Sequence, residues 1–259
     1  MGAVIAMVDG LETTDPSFGM PARWIAPTRR SDAEAMGYVV VESTTMIATH
    51  LMETLKSNAA ELLGRQDVQE MVDTIKKTHP ALVDDLIPSK VPLATLHRVL
   101  QRLLRERVPI RDFITILEAV GDAADTTKDP EQLTEHARRA LGNVIAQQYA
   151  EADGTVRGVT LGPRLEAALM SLFTPRAAQS GQTMITPNTL ANLLRDLQTL
   201  TATSPDARPL PLIVPPGLRV GIRRFVEPVL PALPVLSLAE LPPYVNLNTT
   251  AMWEMQHAA

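Results

Sequence analysis

The sequence predicts an α+β fold made of several subdomains, and three regional patterns support this prediction. Residues 1–42 are irregular, with short extended runs around one short helix. Residues 65–142 hold several amphipathic helices separated by prolines, and residues 143–259 alternate strands with helices. Because such alternation is typical of an α/β layer, we expect a small α+β unit, a helical middle domain and an α/β domain at the carboxyl end.

The first 42 residues predict short strands connected by a polar loop. Residues 3–8 can form one strand, and an extended run resumes at Trp24. Ser31 can cap a short helix, since its hydroxyl can accept from an unpaired backbone N–H of the first turn. Residues 39–41 are three consecutive valines, which predict a strand buried on both faces.

The best-specified element is a long helix over residues 43–65. Ser43 or Thr44 can cap its start, and Gly64 can end it, because glycine adopts the left-handed conformation of a helix stop without strain. Apolar residues recur at helical spacing and form one stripe, at Ile47, Leu51, Leu55 and Leu62. We expect this stripe to face the protein core and the opposite face, with Thr49 and Glu53, to face solvent.

The rest of the chain predicts further helices and strands. Helices are expected from Asp67, where Asp67 and Glu70 resemble a capping box, and over 82–86, 95–105, 112–120 and onward from Asp129-Pro130. In the last region the pattern predicts strands at 154–161, 210–214 and 235–238, and helices at 163–173, 187–201 and 217–226. A proline-marked tail is expected to follow the last strand.

Composition excludes several classes of protein. The net charge of −5 argues against general nucleic-acid binding. The absence of cysteine excludes disulfides, thiol catalysis and cysteine metal sites. No run of 18 apolar residues occurs, so the sequence predicts no membrane span, and the first eight residues lack the basic flank of a secretory signal. We expect a soluble protein or a soluble fragment.

No motif for catalysis is present. His50 and Glu53 lie three apart on the long helix, but the two-histidine pattern of zinc proteases is absent, and ordinary helix polarity is the favoured explanation. The phosphate-binding loop, the dinucleotide fingerprint and the nucleophile elbow are also absent. We therefore expect a protein that is not an enzyme and that uses no metal, cofactor or small-molecule ligand.

A basic stretch leaves a second class of function open. Arg98, Arg102 and Arg105 share one helical face, and Arg107 and Arg111 follow. Arginines at this spacing could track the phosphates of duplex DNA, as in a helical DNA-binding regulator. Because the stretch has no aromatic residue that could stack on a base, salt bridges to acids of neighbouring helices are the favoured alternative.

Three segments, IATHL, ELLGRQ and VPIRD, follow one another along the chain. In sequence and order they resemble the cytoplasmic part of the FlhA/LcrD (FHIPEP) family, the export-gate proteins of flagella and injectisomes. The resemblance implies a chain made of a partial ferredoxin-like α+β subdomain, a helical subdomain and a carboxyl-terminal α/β subdomain. The segments ELLGRQ and VPIRD, with the late VLSLAELPPYVNL, favour the flagellar branch over the injectisome branch.

The resemblance also implies a function, partners and a location. Family members dock chaperone–substrate complexes, pass the substrates to the export channel, contact other export-apparatus components and assemble as rings of nine. They work at the cytoplasmic face of the bacterial inner membrane. Nucleic acid and small-molecule ligands are not among the expected partners.

The family's docking site is an apolar dimple, and the resemblance assigns its residues here. The loop DPSFG supplies Asp15 and Phe18, and IATHL supplies Thr49 on the opposite wall. Val41 and Met46 occupy the positions of the remaining apolar lining. Without the resemblance, a phenylalanine in a loop bracketed by glycine and proline is more often a minor core plug than a partner anchor, so the resemblance changes how Phe18 is interpreted.

The resemblance places the subdomain boundaries after residues 42, 64 and 142, with residues 43–64 as a linking helix from the family's first subdomain. Most of that first subdomain and the family's membrane half are not represented in this sequence. Part of the apolar stripe of the linking helix is therefore expected to lack its usual cover. Exposing several Leu and Ile side chains costs several kcal/mol at about 25 cal/mol per Å², so we expect repacking, self-association or an incomplete gene product.

Overall fold

The computed structural model describes residues 8–17, 19–173, 186–201 and 209–255. Within the chain, two compact units are distinguished, Met1–Leu62 and Leu63–Ala259. The architecture is mixed α/β, with many helices and two small sheets, as the sequence predicts. The strand predicted at residues 3–8 lies, except for residue 8, outside the described residues. The subdomain boundaries after residues 42, 64 and 142 remain predictions.

The smaller unit begins with an antiparallel hairpin of β1 (Leu11–Thr14) and β2 (Pro21–Trp24). Leu11 pairs with Trp24 and Thr14 pairs with Pro21. The connecting loop turns at Gly19, whose φ of 70° is a left-handed conformation that glycine adopts without strain. The hairpin therefore confirms an extended run at Trp24 and places Asp15, Ser17 and Gly19 in the loop at its tip.

Two helices follow the hairpin, and the predicted valine strand between them is wrong. A short 3₁₀ turn leads into α1 (Arg30–Ala35), which confirms the predicted short helix. Residues 38–42 have no regular structure, and Val39 is 91% exposed. A run of β-branched residues forms a buried strand only where other elements cover it, and none of the described elements of this unit covers Val39.

The long helix is present but is divided in two. Helix α2 spans Ser43–Ser57, Asn58 interrupts it with hydrogen bonds to the Thr54 carbonyl, and α3 spans Ala59–Leu62. The predicted caps are wrong, because Glu42 is the N-cap residue of α2 and makes no side-chain capping bond. Gly64 is likewise the N-cap of the next helix rather than the stop of this one.

The larger unit begins with a layer of helices, of which five lie at the predicted places: α4 (Arg65–Thr78), α5 (Pro80–Leu86), α6 (Leu93–Arg105), α7 (Phe113–Ala123) and α8 (Pro130–Ala140). A further helix, α9 (Gly142–Tyr149), was not predicted. Asp67 does take part in a cap, but as the third residue of α4, where its carboxylate accepts a hydrogen bond from the Gly64 N–H at 2.7 Å. The box with Glu70 is therefore wrong in its register. Asp112 and Asp129 cap α7 and α8 through their side chains.

A parallel sheet follows, with strands and helices in alternation: β3 (Thr155–Leu161), α10 (Pro163–Phe173), α11 (Pro187–Thr201), β4 (Leu212–Val214), α12 (Arg219–Val226), β5 (Val235–Ser237) and β6 (Asn246–Trp253). The strand order is β5-β4-β3-β6, and all neighbours are parallel. Strand β6 corrects the expectation that a proline-marked tail follows the last strand.

The sheet lies between two apolar cores, because successive strand residues point to opposite faces. One core lies against the helical layer and contains Leu100, Ile116 and Ile213. The other lies against the helices of the α/β layer and contains Leu212, Ile222 and other buried residues. The larger unit is therefore a three-layer arrangement whose helical layer and sheet share one core. None of the helices within the described ranges is long and apolar enough to cross a bilayer.

Candidate functional site

The hairpin tip is held in shape by Asp15. Its Oδ1 accepts a hydrogen bond from the Ser17 N–H at 2.7 Å, and its backbone C=O accepts from the Gly19 N–H at 2.8 Å. Its own N–H donates to the Met20 C=O at 2.8 Å. Phe18 lies outside the described residues. Asp15 therefore holds the turn around Ser17 and Gly19 in shape, as aspartate commonly does in turns.

Two of the predicted dimple residues share one face of α2. Met46 and Thr49 are three positions apart, and both are half-buried, as is Glu53 one turn further on. Residues at this spacing are neighbours on a helix surface. Val41, by contrast, is exposed and lies just before the helix. The structure therefore brings Met46 and Thr49 together and leaves Val41 in the exposed segment ahead of them.

The apolar stripe of α2 faces solvent, which corrects the prediction that it faces the core. Ile47, Leu51 and Leu55 are 61%, 57% and 49% exposed, and α2 has no buried residue at all. The face predicted to be solvated, with Thr49 and Glu53, is the half-buried one. The stripe therefore lacks a cover, as the resemblance implied for part of it.

The hairpin and the helix carry the two halves of the predicted site. In the described part of the smaller unit, neither strand of the hairpin packs extensively against α2. The site residues therefore lie on two distinct local surfaces. One is the face of α2 that carries Met46 and Thr49, and the other is the hairpin loop that carries Asp15. A site that uses both requires a partner that reaches from one to the other, or a movement of the loop toward the helix.

The basic stretch is partly neutralised by acids of neighbouring helices. Arg102 Nη1 lies 3.1 Å from Glu131 Oε1, and Arg224 Nε donates to the same oxygen at 3.0 Å. Arg98 Nε donates to the Ala94 C=O of its own helix at 3.2 Å. For Arg102 the structure therefore agrees with the salt-bridge alternative, because its guanidinium group is paired with the Glu131 carboxylate and is not free to bind a phosphate.

A buried ion network joins the helical layer of the larger unit to its sheet. Arg138 on α8 makes a two-pronged contact with Glu240, with both N···O distances at 2.8 Å, and both side chains are almost fully buried. Arg219 on α12 bonds Glu106 Oε2 at 2.7 Å and also pairs with Glu135. Paired charges of this kind are tolerated inside a protein because each charge has its partner.

Glu106 is shared by two arginines of this network. Arg138 Nη1 lies 3.2 Å from the same oxygen that Arg219 contacts. Burial alone would raise the pKa of Glu106, but the guanidinium groups of Arg138 and Arg219 hold that pKa below its ordinary value. The network was not predicted, because its partners lie as many as 113 residues apart in sequence and no local pattern marks them.

No metal site is found in the parts of the chain that the structure describes, which contain no group of three His, Asp or Glu side chains able to hold an ion. His50 is exposed on α2. His97 has its Nε2 at 2.8 Å from the Leu63 C=O, so its ring is bound to the backbone between two helices. The histidines described here thus have surface or structural positions.

Comparison with known proteins gives the chain relatives over nearly all of its length. The model of the family described as "FHIPEP family" matches residues 1–246. The flagellar biosynthesis protein FlhA of Escherichia coli is 38% identical over 251 residues, which cover 96% of this chain and 35% of that protein. The chain therefore spans about a third of the length of this relative.

Solved structures share the fold. In a structure titled as the complex of Chlamydia pneumoniae CdsV and CdsO, the matching chain has a TM-score of 0.80 at 23% identity, and the match covers 96% of this chain and 71% of that one. The nonameric EscV cytosolic domain from the type III secretion system gives a TM-score of 0.71 at 25% identity, covering 92% and 69%. With the family match over residues 1–246, the chain belongs to the FHIPEP family.

Proposed function

We propose that this chain is a non-catalytic docking platform of the flagellar type III export gate. It binds chaperone–substrate complexes and passes the substrates toward the export channel. The flagellar name of the relative from E. coli and the likeness to a cytosolic domain of a type III secretion system support this assignment.

The observation that carries the proposal is helix α2. It spans Ser43–Ser57, fifteen residues, and none of them is buried. Helices of soluble proteins normally bury one face, so a helix in which no residue is buried keeps its half-buried Met46–Thr49 face within reach of a partner. A helix that offers a half-buried face with Met46 and Thr49 and an exposed apolar face is accessible to partners on both sides.

The docking mechanism follows from the chemistry of the two local surfaces. An amphipathic segment of the chaperone lays apolar side chains against Met46 and Phe18, as helix-in-groove partners do. Thr49 and Asp15 form the polar rim. Asp15 uses one carboxylate oxygen to hold its own turn, and a carboxylate has further acceptor capacity for a partner N–H. Few anchors and a polar rim give modest, reversible affinity, which a platform that releases its cargo needs.

The assembly and location are part of the same proposal. The relative EscV is described as a nonameric cytosolic domain, and we infer that this chain works in a ring of nine at the cytoplasmic face of the bacterial inner membrane. Contact with other export components is also expected, since the relative CdsV is described in complex with CdsO. Copies in a ring raise the local number of docking sites, which offsets weak affinity at each one.

The test is a calorimetric titration with a flagellar chaperone–substrate complex from the same organism. The wild-type chain is expected to bind at about micromolar Kd, and Phe18→Ala to weaken binding at least about tenfold. Leu51→Ala is the matched control. Leu51 lies on the exposed stripe, about half a helical turn from the Met46–Thr49 face, and its truncation is expected to leave the Kd unchanged. Circular dichroism checks that each variant folds.

The control separates two sites on one helix. Loss of binding with Leu51→Ala and full binding with Phe18→Ala would contradict the assigned dimple and place docking on the apolar stripe. No binding by any folded variant or by the wild type would contradict docking by this chain as a whole. Thr49→Val sharpens the assignment, because it keeps the shape of the wall and removes its hydroxyl.

A further inference from the structure

The two edge strands of the parallel sheet, β5 and β6, differ in how far other residues cover them. At the first edge, β5 is three residues long and completely buried. The Leu212 N–H donates to the Pro234 C=O, so that carbonyl points toward β4, and by alternation the Val235 C=O points outward. That outward carbonyl accepts from Arg138 at 3.5 Å and Arg219 at 3.4 Å. The β5 edge is therefore covered by guanidinium groups.

The other edge, β6, is long and open. It has eight residues, and the five from Asn246 to Thr250 are all exposed. Because successive strand residues point to opposite faces, five consecutive exposed residues mean that both faces of this part of the strand are open. Strands of parallel sheets are normally covered on both faces. The β6 edge is thus an exception within its own sheet.

Strand β6 also lacks the features that usually keep an edge from pairing. Natural edge strands are protected by charged side chains, especially lysine, by proline, or by being very short. The sequence of β6, NLNTTAMW, contains no charged residue and no proline. Its one irregularity is a register shift opposite Gly158 and Val159. An edge strand of this length without such protection can form backbone hydrogen bonds with another extended chain.

The direction of the peptide groups can be read from the ladder with β3. Trp253 pairs with Leu161, and its C=O accepts from the Gly162 N–H at 2.7 Å, so the Trp253 carbonyl points inward. Backbone groups alternate along a strand, so the N–H and C=O of Met252 point outward. Met252 is also exposed. A single residue therefore supplies an outward donor and an outward acceptor.

We propose that the outer edge of β6 binds an extended, uncharged polypeptide segment as a fifth strand of the four-stranded sheet. An alternating row of backbone donors and acceptors is complementary to another extended chain, and the uncharged faces of β6 favour an uncharged segment. Resting on the proposed function, the occupant is a segment of the polypeptide handed over for export. The edge would hold that segment independently of its detailed sequence, since main-chain bonds supply the affinity.

A second copy of this chain fits the edge less well. Head-to-tail pairing would need a free β5 edge in the neighbouring copy, and arginines cover that edge. Pairing of β6 with β6 around a two-fold axis joins copies in twos. Nine copies, the number in the relative EscV, cannot all be joined in this way. Self-pairing is therefore an outcome that the test must distinguish.

The test uses a synthetic peptide of alternating threonine and valine, ten residues long with lysines at both ends for solubility. Hydrogen exchange of the full chain is measured with and without this probe. The Met252 amide is expected to gain at least about tenfold protection, because an outward N–H that pairs is withdrawn from solvent. The same peptide with four successive central nitrogens methylated cannot form a ladder on either edge and is expected to give no protection.

Two variants at one position complete the test. Met252→Pro removes an outward N–H, which an edge strand tolerates, and is expected to weaken peptide binding at least about tenfold. Met252→Ala keeps the N–H and is expected to bind like the wild type. Both variants should still bind the chaperone–substrate complex in the calorimetric titration. That titration therefore distinguishes a failure of the β6 proposal from a failure of the proposed docking function.

Several outcomes overturn the proposal. Unchanged exchange at Met252 with the unmethylated probe would do so, as would equal protection by the methylated probe or equal affinity of Met252→Pro and wild type. A concentration-dependent dimer in sedimentation that Met252→Pro abolishes would assign the edge to a second copy instead. If Met252→Pro does not fold, the comparison of the two peptides on the wild-type chain decides the question alone.

Discussion

The two units of the chain bury their apolar side chains to very different extents. In the larger unit, two clusters of buried side chains pack against the two faces of strands β3, β4 and β5. Among the described residues of the smaller unit, the buried apolar side chains are Val8, Ala33 and Ala60, all of them small. The larger unit therefore has extensive apolar cores of its own, whereas the large apolar side chains of the smaller unit remain mostly exposed.

Charged residues follow the same division. In the larger unit, Arg138 and Glu240 are buried and fully engaged with each other. In the smaller unit, Arg30 pairs with Glu34 at 2.9 Å and with Glu42 at 3.4 Å, and all three side chains are exposed. Exposed pairs contribute little to stability, whereas breaking a buried pair leaves an uncompensated charge. Removing one charged side chain should therefore destabilise the larger unit much more than the smaller unit.

The largest expected effect is that of Arg138→Met. The substitution leaves Glu240 buried without its main partner and removes one of two cations from Glu106. Removing one member of a buried pair costs about 3–5 kcal/mol of unfolding free energy. The measurement is urea denaturation followed by the fluorescence of the buried Trp253, in a Trp24→Phe background that removes the other tryptophan.

The matched control for this change lies in the smaller unit. Arg30→Met removes an arginine that also has two carboxylate partners, but its side chain is exposed and no measurable change in stability is expected. If Arg30→Met proved as destabilising as Arg138→Met, the contrast between the two units would be wrong. If Arg138→Met had no effect, the assignment of Arg138 as the cation that stabilises the buried carboxylates Glu106 and Glu240 would be wrong.

The second expected effect compares one chemical change in two places. Leu100→Ala empties a site in the core of the larger unit, where Leu100 is fully buried, and is expected to cost about 2–5 kcal/mol. Leu51→Ala removes the same atoms from the exposed stripe of α2 and is expected to change stability by less than about 0.5 kcal/mol. Thermal and urea unfolding measure both. Comparable losses in the two variants would show that Leu51 is packed in solution.

The third expected effect is a pH dependence of the stability of the larger unit. The pKa of Glu106 is lower in the folded chain than in the unfolded chain, since burial, which raises it, is outweighed by Arg138 and Arg219. A carboxylate with a lowered folded pKa stabilises the fold above its unfolded pKa of about 4.3. That stability is lost as the pH falls through the folded pKa.

The test of this dependence is urea unfolding from neutral pH down to about pH 3, read by Trp253. Glu106→Gln is expected to lower stability at neutral pH and to flatten the fall at acid pH, because an amide does not titrate. An acid profile that keeps the same slope in Glu106→Gln would assign the dependence to other carboxylates. The pKa of Asp153 is also lowered, by hydrogen bonds from Thr155, so Asp153→Asn is the natural second variant.

The sequence predicted the larger unit better than the smaller one, for a physical reason. Helices such as α6 and α8 have strong local periodicity, and their ends are marked by prolines and by aspartate caps, so no distant information was needed. Strand β6 was missed because it is polar and pairs with β3 some ninety residues earlier in the chain. Pairing at that distance leaves no trace in a local pattern.

The smaller unit shows where local pattern is insufficient. The valines at 39–41 and the stripe of α2 predicted buried faces, but a face is buried only if another element covers it, and in this unit the described elements do not. For the candidate site, the resemblance supplied the residues, and the structure placed Asp15, Val41, Met46 and Thr49. The sequence could not predict which face of α2 is exposed, because that depends on long-range packing.

The smallest expected effect on stability is also the sharpest probe of the exposed stripe. The double variant Leu51→Glu, Leu55→Glu replaces two exposed leucines and is expected to leave the unfolding midpoint unchanged, because surface substitutions usually change stability by no more than about 0.5 kcal/mol. The fluorescence of a dye that binds apolar surface should fall, since the stripe is the largest exposed apolar feature of α2. The control His50→Glu, Thr54→Glu adds the same charge on exposed polar positions of the same helix and should keep the dye signal. A lower unfolding midpoint in the leucine variant alone would mean that the stripe is covered in solution, and the smaller unit would then owe its stability to that cover.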